Sequence, residues 1–187
     1  MFLKRQDPYQ LAVGMTGVKL GDRLTQIGCP DGGRMAAIAS KVGLSGRAVV
    51  VAPDEYSAVL ARKGAANAGV LVEVEVAPPT RLPLENDSTD LVIVDDTAGV
   101  VGLLRSEDRA AAMRELLRIV RPGGRVMILG SAPRAGLGGL LHRGTQGPPF
   151  ALSGDANKSF LNEGFAMVRT LAERDGLVFV EAVKPRA

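Results

Sequence analysis

Apolar residues along the chain come in short blocks that alternate with stretches of helical spacing. Arg23–Ile27 is a short apolar run and predicts a first strand. Asp31–Val42 comes next, with Met35, Ile38, Ala39 and Val42 on one helical face. Arg47–Ala52, RAVVVA, is apolar throughout, the pattern of a strand buried on both faces of a parallel sheet. Glu55–Ala68 is alanine-rich and helical, with Gly69 placed as a C-terminal cap. Val70–Val76 alternates at its end, turning Glu73 and Glu75 outward, which predicts a strand near a sheet edge. Ala77–Pro83, with three prolines, is a loop, and Asp90–Val94 is another buried strand.

Glu107–Val120 is the clearest helix, with Met113, Leu116, Leu117 and Val120 as its stripe. Arg121-Pro122-Gly123-Gly124 should stop it, because proline cannot continue a helix. Arg125–Leu129 is a fifth strand. From residue 130 to 154 glycine and proline are dense, and only Leu137–His142 suggests a short helix. This reads as an irregular insertion, a lid or substrate-recognition segment whose bland alternative is a loosely held loop. Ala156–Glu163 is a short helix, and Phe165–Leu171 and Leu177–Val183 are strands joined through Asp175-Gly176, a hairpin signal. Strands alternating with helices predict an α/β fold: a doubly wound, mostly parallel seven-stranded sheet with a C-terminal antiparallel hairpin, in one domain spanning residues 1–187. Ligands of such sheets bind beyond the carboxyl ends of the strands. Here those ends are the loops 28–33, 52–56, 77–82, 95–99 and 130–136.

Composition narrows the class. Apolar content of 46% in 187 residues supports a full core, built without Trp and with only 4% aromatics. No apolar run reaches the roughly 20 residues of a membrane helix, and MFLKRQDPYQ lacks the apolar region of a secretory signal. The expectation is no membrane. The net charge of +3 is interspersed, so nothing argues for nucleic acid. Cys29 is the only cysteine and His142 the only histidine, which excludes an internal disulfide and a usual zinc site and fits the cytoplasm.

Five stretches together resemble the class I S-adenosylmethionine-dependent methyltransferases, from Gly21 to Lys184. They are RLTQIGCPDGG, GRAVVVAPDEYSAVLARKGAANAGV, LPLENDSTDLVIVDD, RELLRIVRPGGRVMIL and FLNEGFAMVRTLAERDGLVFVEAVK. The resemblance implies a Rossmann-like methyltransferase fold with S-adenosylmethionine as cofactor. It assigns cofactor contacts to Ile27, Gly28, Cys29 and Gly32 in the first loop and to Arg81 and Leu82 before the fourth strand, and Asp54, two residues beyond the family's ribose position, is the candidate to take the ribose. Asp95 and Asp96 fall beside the methyl-transfer position, as candidate catalytic acids that orient an acceptor or take its proton. Their bland reading is a turn in which Asp96 caps the next element.

The family's pattern is broken at four places. Gln26 stands for the acid ending the first strand, Pro30 for the second loop glycine, Ala52 for the ribose acid and Pro78 for an adenine-reading acid. Pro30 removes a backbone N–H from the loop. No metal is expected, because Gly130-Ser131-Ala132 stands where metal-dependent relatives place further ligands. Two main readings result: a methyltransferase acting on a small-molecule substrate, or a methyltransferase-like binding or assembly protein, a pseudoenzyme that has lost the cofactor. A third is a pocket altered for another nucleotide or an acidic metabolite. The partner in these readings is the small molecule, another protein, or a second copy of the chain in a homodimer.

Overall fold

The computed structural model describes residues 8–132 and 149–186. Seven strands form one sheet: β1 Arg23–Ile27, β2 Arg47–Ala52, β3 Glu73–Val76, β4 Thr89–Asp95, β5 Val120–Ser131, β6 Ala166–Arg174 and β7 Leu177–Val183. Their spatial order is β3-β2-β1-β4-β5-β7-β6. All neighbours are parallel except the pairs made by β7, which runs antiparallel to β5 and β6. The expected doubly wound sheet with its closing hairpin is therefore the fold.

Helices cover both faces. They are α1 Gln10–Thr16, α2 Gly32–Ala39, α3 Glu55–Ala68, α4 Ser106–Ile119 and α5 Asp155–Asn162. Alternation along the strands sends Leu24, Val50, Leu91 and Ile93 to one face, against Met35 and Ile38 of α2 and Ala61 of α3. Ile27, Val51, Val92 and Val94 face the other way, against Met113 and Leu116 of α4 and Phe160 of α5. Val49–Val51 and Val92–Val94 are buried on both faces, which is why those runs carry no polar alternation.

Some boundaries differ from the sequence reading, each for a local reason. β3 begins at Glu73 rather than Val70, because the Val70 N–H bonds back to the Ala65 carbonyl and completes the cap of α3 at Gly69. Pro122-Gly123-Gly124 does not separate α4 from β5. β5 starts at Val120, paired with Thr89, and the register then shifts. Gly123 N–H and Gly124 C=O both bond Lys184, so the turn is stitched to the end of β7. The hairpin turn is two residues, Asp175 and Gly176, both at positive φ (56° and 80°). α1 has no counterpart in the sequence reading. The Leu137–His142 helix and most of the 130–154 insertion, including His142, lie outside the described residues.

α2 and α3 cross at backbone contact. A Cβ on Gly32 would lie 2.2 Å from the Leu60 carbonyl oxygen, and one on Gly64 would lie 2.2 Å from the Gly32 carbonyl oxygen. Gly32 therefore serves helix packing at the start of α2. Replacing Gly64 with Ala should cost about 1–3 kcal/mol, despite alanine's better helix propensity. Denaturant unfolding checks this; an unchanged midpoint would mean that the helices are not in such contact.

Candidate active site

The topology brings the carboxyl ends of β1 and β4 side by side, with Gln26 opposite Ile93 and Ile27 opposite Val94. The loop after β1 turns at Gly28, whose φ is +78°. Its N–H bonds the Val51 carbonyl at 2.9 Å, and a Cβ there would meet the Asp95 carbonyl oxygen at 3.0 Å. Only glycine suits both the dihedral and the approach. Asp31 closes the loop as the cap of α2, accepting from the N–H groups of Gly33 and Arg34 at 3.0 Å each. The Tyr9 hydroxyl donates to the same carboxylate oxygen at 3.2 Å, fixing the entrance to α1 against the loop.

Asp95 and Asp96 fall on opposite faces. Asp95 is 1% exposed and points toward α2. Arg34 donates to it from Nε at 3.0 Å and from Nη2 at 3.0 and 2.8 Å. Thr97 adds its hydroxyl at 2.6 Å. Every strong position on this carboxylate is filled by the protein itself. The first turn of a helix disfavours a cation, so Arg34 three residues after the cap is a local oddity that Asp95 explains. Arg34 is not among the sequence-predicted site residues, and that misplaced charge is the signal that points to it.

Asp96 turns toward α4 and the chain at Phe150. Its Oδ1 accepts from the N–H groups of Val101 at 2.7 Å and Gly102 at 2.9 Å. Oδ2 carries no hydrogen bond among the described residues, and it lies where a Cβ on Gly102 would come within 2.6 Å. Phe150 borders the same spot, and the Arg109 guanidinium stacks on its ring at 4.8 Å. Burial pushes the Asp96 carboxyl above the usual carboxylate range, against the pull of the two N–H groups, and Asp95 adds to the rise.

The remaining expected site residues are more varied. Ile27 and Cys29 are buried, and burial with Asp95 and Asp31 nearby pushes the Cys29 thiol up to about 12. Cys29 is thus no nucleophile at neutral pH. Asp54 caps α3, accepting from the Ser57 N–H at 2.7 Å, and that bond holds its carboxyl below the usual range. The expected ribose acid is a helix cap. Arg81 is exposed on the 77–82 loop. The Leu82 side chain is in the core, and its N–H goes to Glu115 at 2.7 Å. Arg118 holds that loop, donating to the carbonyls of Leu82 and Leu84 at 3.0 and 2.6 Å.

The chain is similar to known proteins both in sequence and in fold. The methyltransferase domain family matches residues 25–128. The ubiquinone/menaquinone biosynthesis C-methyltransferase of Cupriavidus taiwanensis is 27% identical over 117 residues, 63% of this chain and 46% of that protein. The enzyme of the same name from Pseudomonas putida is 27% identical over 122 residues, covering 64% and 46%. The chain thus spans about half the length of the curated relatives it matches. Among solved structures, a SAM-dependent methyltransferase from Aquifex aeolicus superposes with a TM-score of 0.72 at 17% identity, over 94% of this chain and 89% of that one. The [4+2]-cyclase SpnF does so with 0.70 at 16%, over 96% and 80%. The chain belongs to the methyltransferase domain family, among the class I S-adenosylmethionine-dependent methyltransferases. S-adenosylmethionine is the cofactor that this membership brings.

The residues fit that cofactor at its amino-acid end. Gln26 is buried, its Nε2 donates to the Gly28 carbonyl at 2.9 Å, and its Oε1 has no partner among the described residues. A buried acceptor beside the loop awaits a donor. At the ribose end Ala52 is apolar, and Asp54 is exposed and engages the Ser57 N–H through Oδ1.

Two outcomes are expected here. Arg34→Ala strands a buried carboxylate and should cost about 3–5 kcal/mol, whereas the double variant Arg34→Met, Asp95→Asn should lose much less. Equal losses in chemical denaturation would show that the pair is not energetically coupled. For Asp96, the raised carboxyl pKa favours the folded state at a pH below the unfolded value of about 3.9. That contribution is lost as pH rises through the folded value. The melting temperature of Asp96→Asn should therefore gain on the parent's as pH rises from about 3 to about 7. A gap that stays constant or narrows over that range would contradict the raised carboxyl.

Proposed function

We propose that the chain transfers the methyl group of S-adenosylmethionine to a small molecule carrying an ionisable O–H or N–H, with Asp96 facing that acceptor. The observation that carries this is the Asp96 carboxylate at the carboxyl end of the central strand, 7% exposed, fixed through Oδ1 and without a hydrogen bond at Oδ2 among the described residues. The relatives' printed activity in ubiquinone and menaquinone biosynthesis favours a small acceptor over a macromolecule.

When bound, the cofactor supplies a methyl already activated by its sulfonium, so the chain's work is mainly positioning. The loop from Gln26 to Arg34 would hold the cofactor's amino-acid end, with Gly28 letting the backbone come close. Asp96 orients the acceptor's O–H or N–H and takes its proton on Oδ2, while the Val101 and Gly102 N–H groups keep Oδ1 in place. The raised pKa makes the carboxyl a better proton acceptor than an ordinary aspartate. Asp95 stays with Arg34 and shapes the loop.

A second reading is a methyltransferase-like binding or assembly protein with no cofactor. Ala52, Pro78 and the employment of Asp54 as a cap favour it. Its partner would be another protein or a second copy of the chain.

Calorimetric titration with S-adenosylmethionine and S-adenosylhomocysteine separates the two. Low-micromolar binding, followed by transfer of labelled methyl to a phenol, catechol or amine panel, supports the first. With an acceptor in hand, Asp96→Asn should lower kcat by about 10²–10⁴. No binding up to millimolar concentration leaves the second reading, which predicts a stable complex in pull-down or sedimentation.

A further inference from the structure

α4 opens with a charge pattern that its dipole only half explains. Glu107 and Asp108 suit the first turn, where negative charge is favoured, and Arg109 beside them does not. The Arg109 side chain turns back onto the chain before the helix. Nη2 donates to the carbonyls of Gly102 and Leu104 at 2.9 Å each, and the guanidinium lies over the Phe150 ring at 4.8 Å. This leaves Nε buried and without a partner among the described residues, which is unfavourable. The arginine is held on the two carbonyls and the ring all the same.

Gly102 links this cation to Asp96. Its N–H donates to Asp96 Oδ1 at 2.9 Å, and its carbonyl accepts from Arg109 at 2.9 Å. One residue thus stands between carboxylate and guanidinium. The fit is close, since a Cβ on Gly102 would lie 2.6 Å from Asp96 Oδ2 and 2.7 Å from the Phe150 Cβ. Leu103, next along this turn, is 72% exposed, so packing of its side chain does not hold the turn in place. Two charges bear on Asp96. That of Asp95 works against its ionisation, and that of Arg109 works for it. Val101, Gly102 and Phe150, which also pack on Asp96, carry none. Arg34 is already committed to Asp95.

We propose that Arg109 is a positioning residue for Asp96: through the Gly102 peptide it keeps the 96–102 turn wrapped on Oδ1, which leaves Oδ2 for the acceptor, and its charge keeps the buried carboxylate ionised. This rests on the reading above in which Asp96 takes the acceptor's proton. A protonated Asp96 could not take it, and burial favours the protonated form unless a cation stands nearby.

The test is a ¹³C NMR titration of the aspartate carboxyls in the full chain, with the Asp96 signal identified by its loss in Asp96→Asn. Arg109→Met should move the Asp96 midpoint upward by about one pH unit, and Arg109→Lys, which keeps the charge, by less than about half of that. A midpoint that ignores Arg109→Met overturns the proposal, as does an equal shift in both variants, since shape and not charge would then be at work. If Arg109→Met fails to melt cooperatively, Arg109→Gln removes the charge and keeps an N–H donor, and the same shift or its absence decides. With an acceptor in hand, the acid limb of kcat against pH should move upward in Arg109→Met as the carboxyl does, while KM for S-adenosylmethionine stays within about twofold. A loss of kcat that is uniform in pH overturns the proposal, because Arg109 would then be only structural. Methyl transfer that survives Asp96→Asn overturns the reading of Asp96 as proton acceptor and this proposal with it. Transfer lost in Asp96→Asn, with an Asp96 midpoint indifferent to Arg109, overturns this proposal alone.

Discussion

A carboxylate at the end of the central strand sets the terms for the crevice around it. Asp95 is almost without solvent contact, so its charge has to be met inside the protein. Arg34 meets it with a two-pronged contact, and Thr97 fills the position left over. That pairing fixes the first turn of α2 over β4. The β1 loop passes so close beside it that a Cβ on Gly28 would meet the Asp95 carbonyl oxygen at 3.0 Å. The pairing also leaves Arg34 with one nitrogen facing the loop, while Asp96, on the opposite face, forms no ion pair among the described residues. The two adjacent aspartates divide the work because Asp95 ends β4 and Asp96 opens the 3-10 turn that follows it.

Much of this is legible in the sequence, and the failures have physical causes. Buried parallel strands such as RAVVVA and DLVIV are unmistakably apolar, and they lie close to where their patterns place them. The pattern overextends β3, since its apolar lead-in completes a helix cap instead of joining the ladder. Pro-Gly-Gly looks like a separator, but its backbone groups find partners in Lys184, far along the chain. Local propensity cannot register a partner that distant. α1 is a single short helix held by tertiary contacts, among them the Tyr9 hydroxyl on Asp31. The site shows the same limit. The loop glycines and both aspartates are visible as residue types, but the capping role of Asp54 and the arginine on Asp95 depend on what each side chain meets in space.

Family membership narrows the chemistry without choosing the acceptor. A protein named for a [4+2]-cyclase reaction superposes on this chain about as well as proteins named methyltransferases. The sheet and its helices are thus a platform, and function lies in the residues at its carboxyl edge. Here that edge departs from the family pattern at Gln26, Pro30, Ala52 and Pro78 and carries Asp95 and Asp96 at the methyl-transfer position.

The other buried charges of this protein are treated differently. Glu181, 3% exposed on β7, is clasped by Arg125 at 2.9 Å and Arg169 at 2.8 Å, and together they hold its carboxyl below the usual range despite burial. Arg125 reaches on to the Gly17 carbonyl at 2.9 Å and ties the end of α1 to the sheet. The partly exposed Asp90 is likewise held by Arg23 and Arg121. At these places every carboxylate has found its cations, as buried charge requires. Bare polar atoms are few among the described residues: Gln26 Oε1, Arg109 Nε and, on α5, Asn157 Oδ1. The first lies at the carboxyl end of β1, and the second belongs to the arginine stacked on Phe150, beside an Asp96 that the described residues hold by Oδ1. A fold that clasps Glu181 and Asp90 so fully does not leave these groups open through inability to pair them. Unmet donors and acceptors where the topology places a ligand are better explained as contacts that the ligand completes.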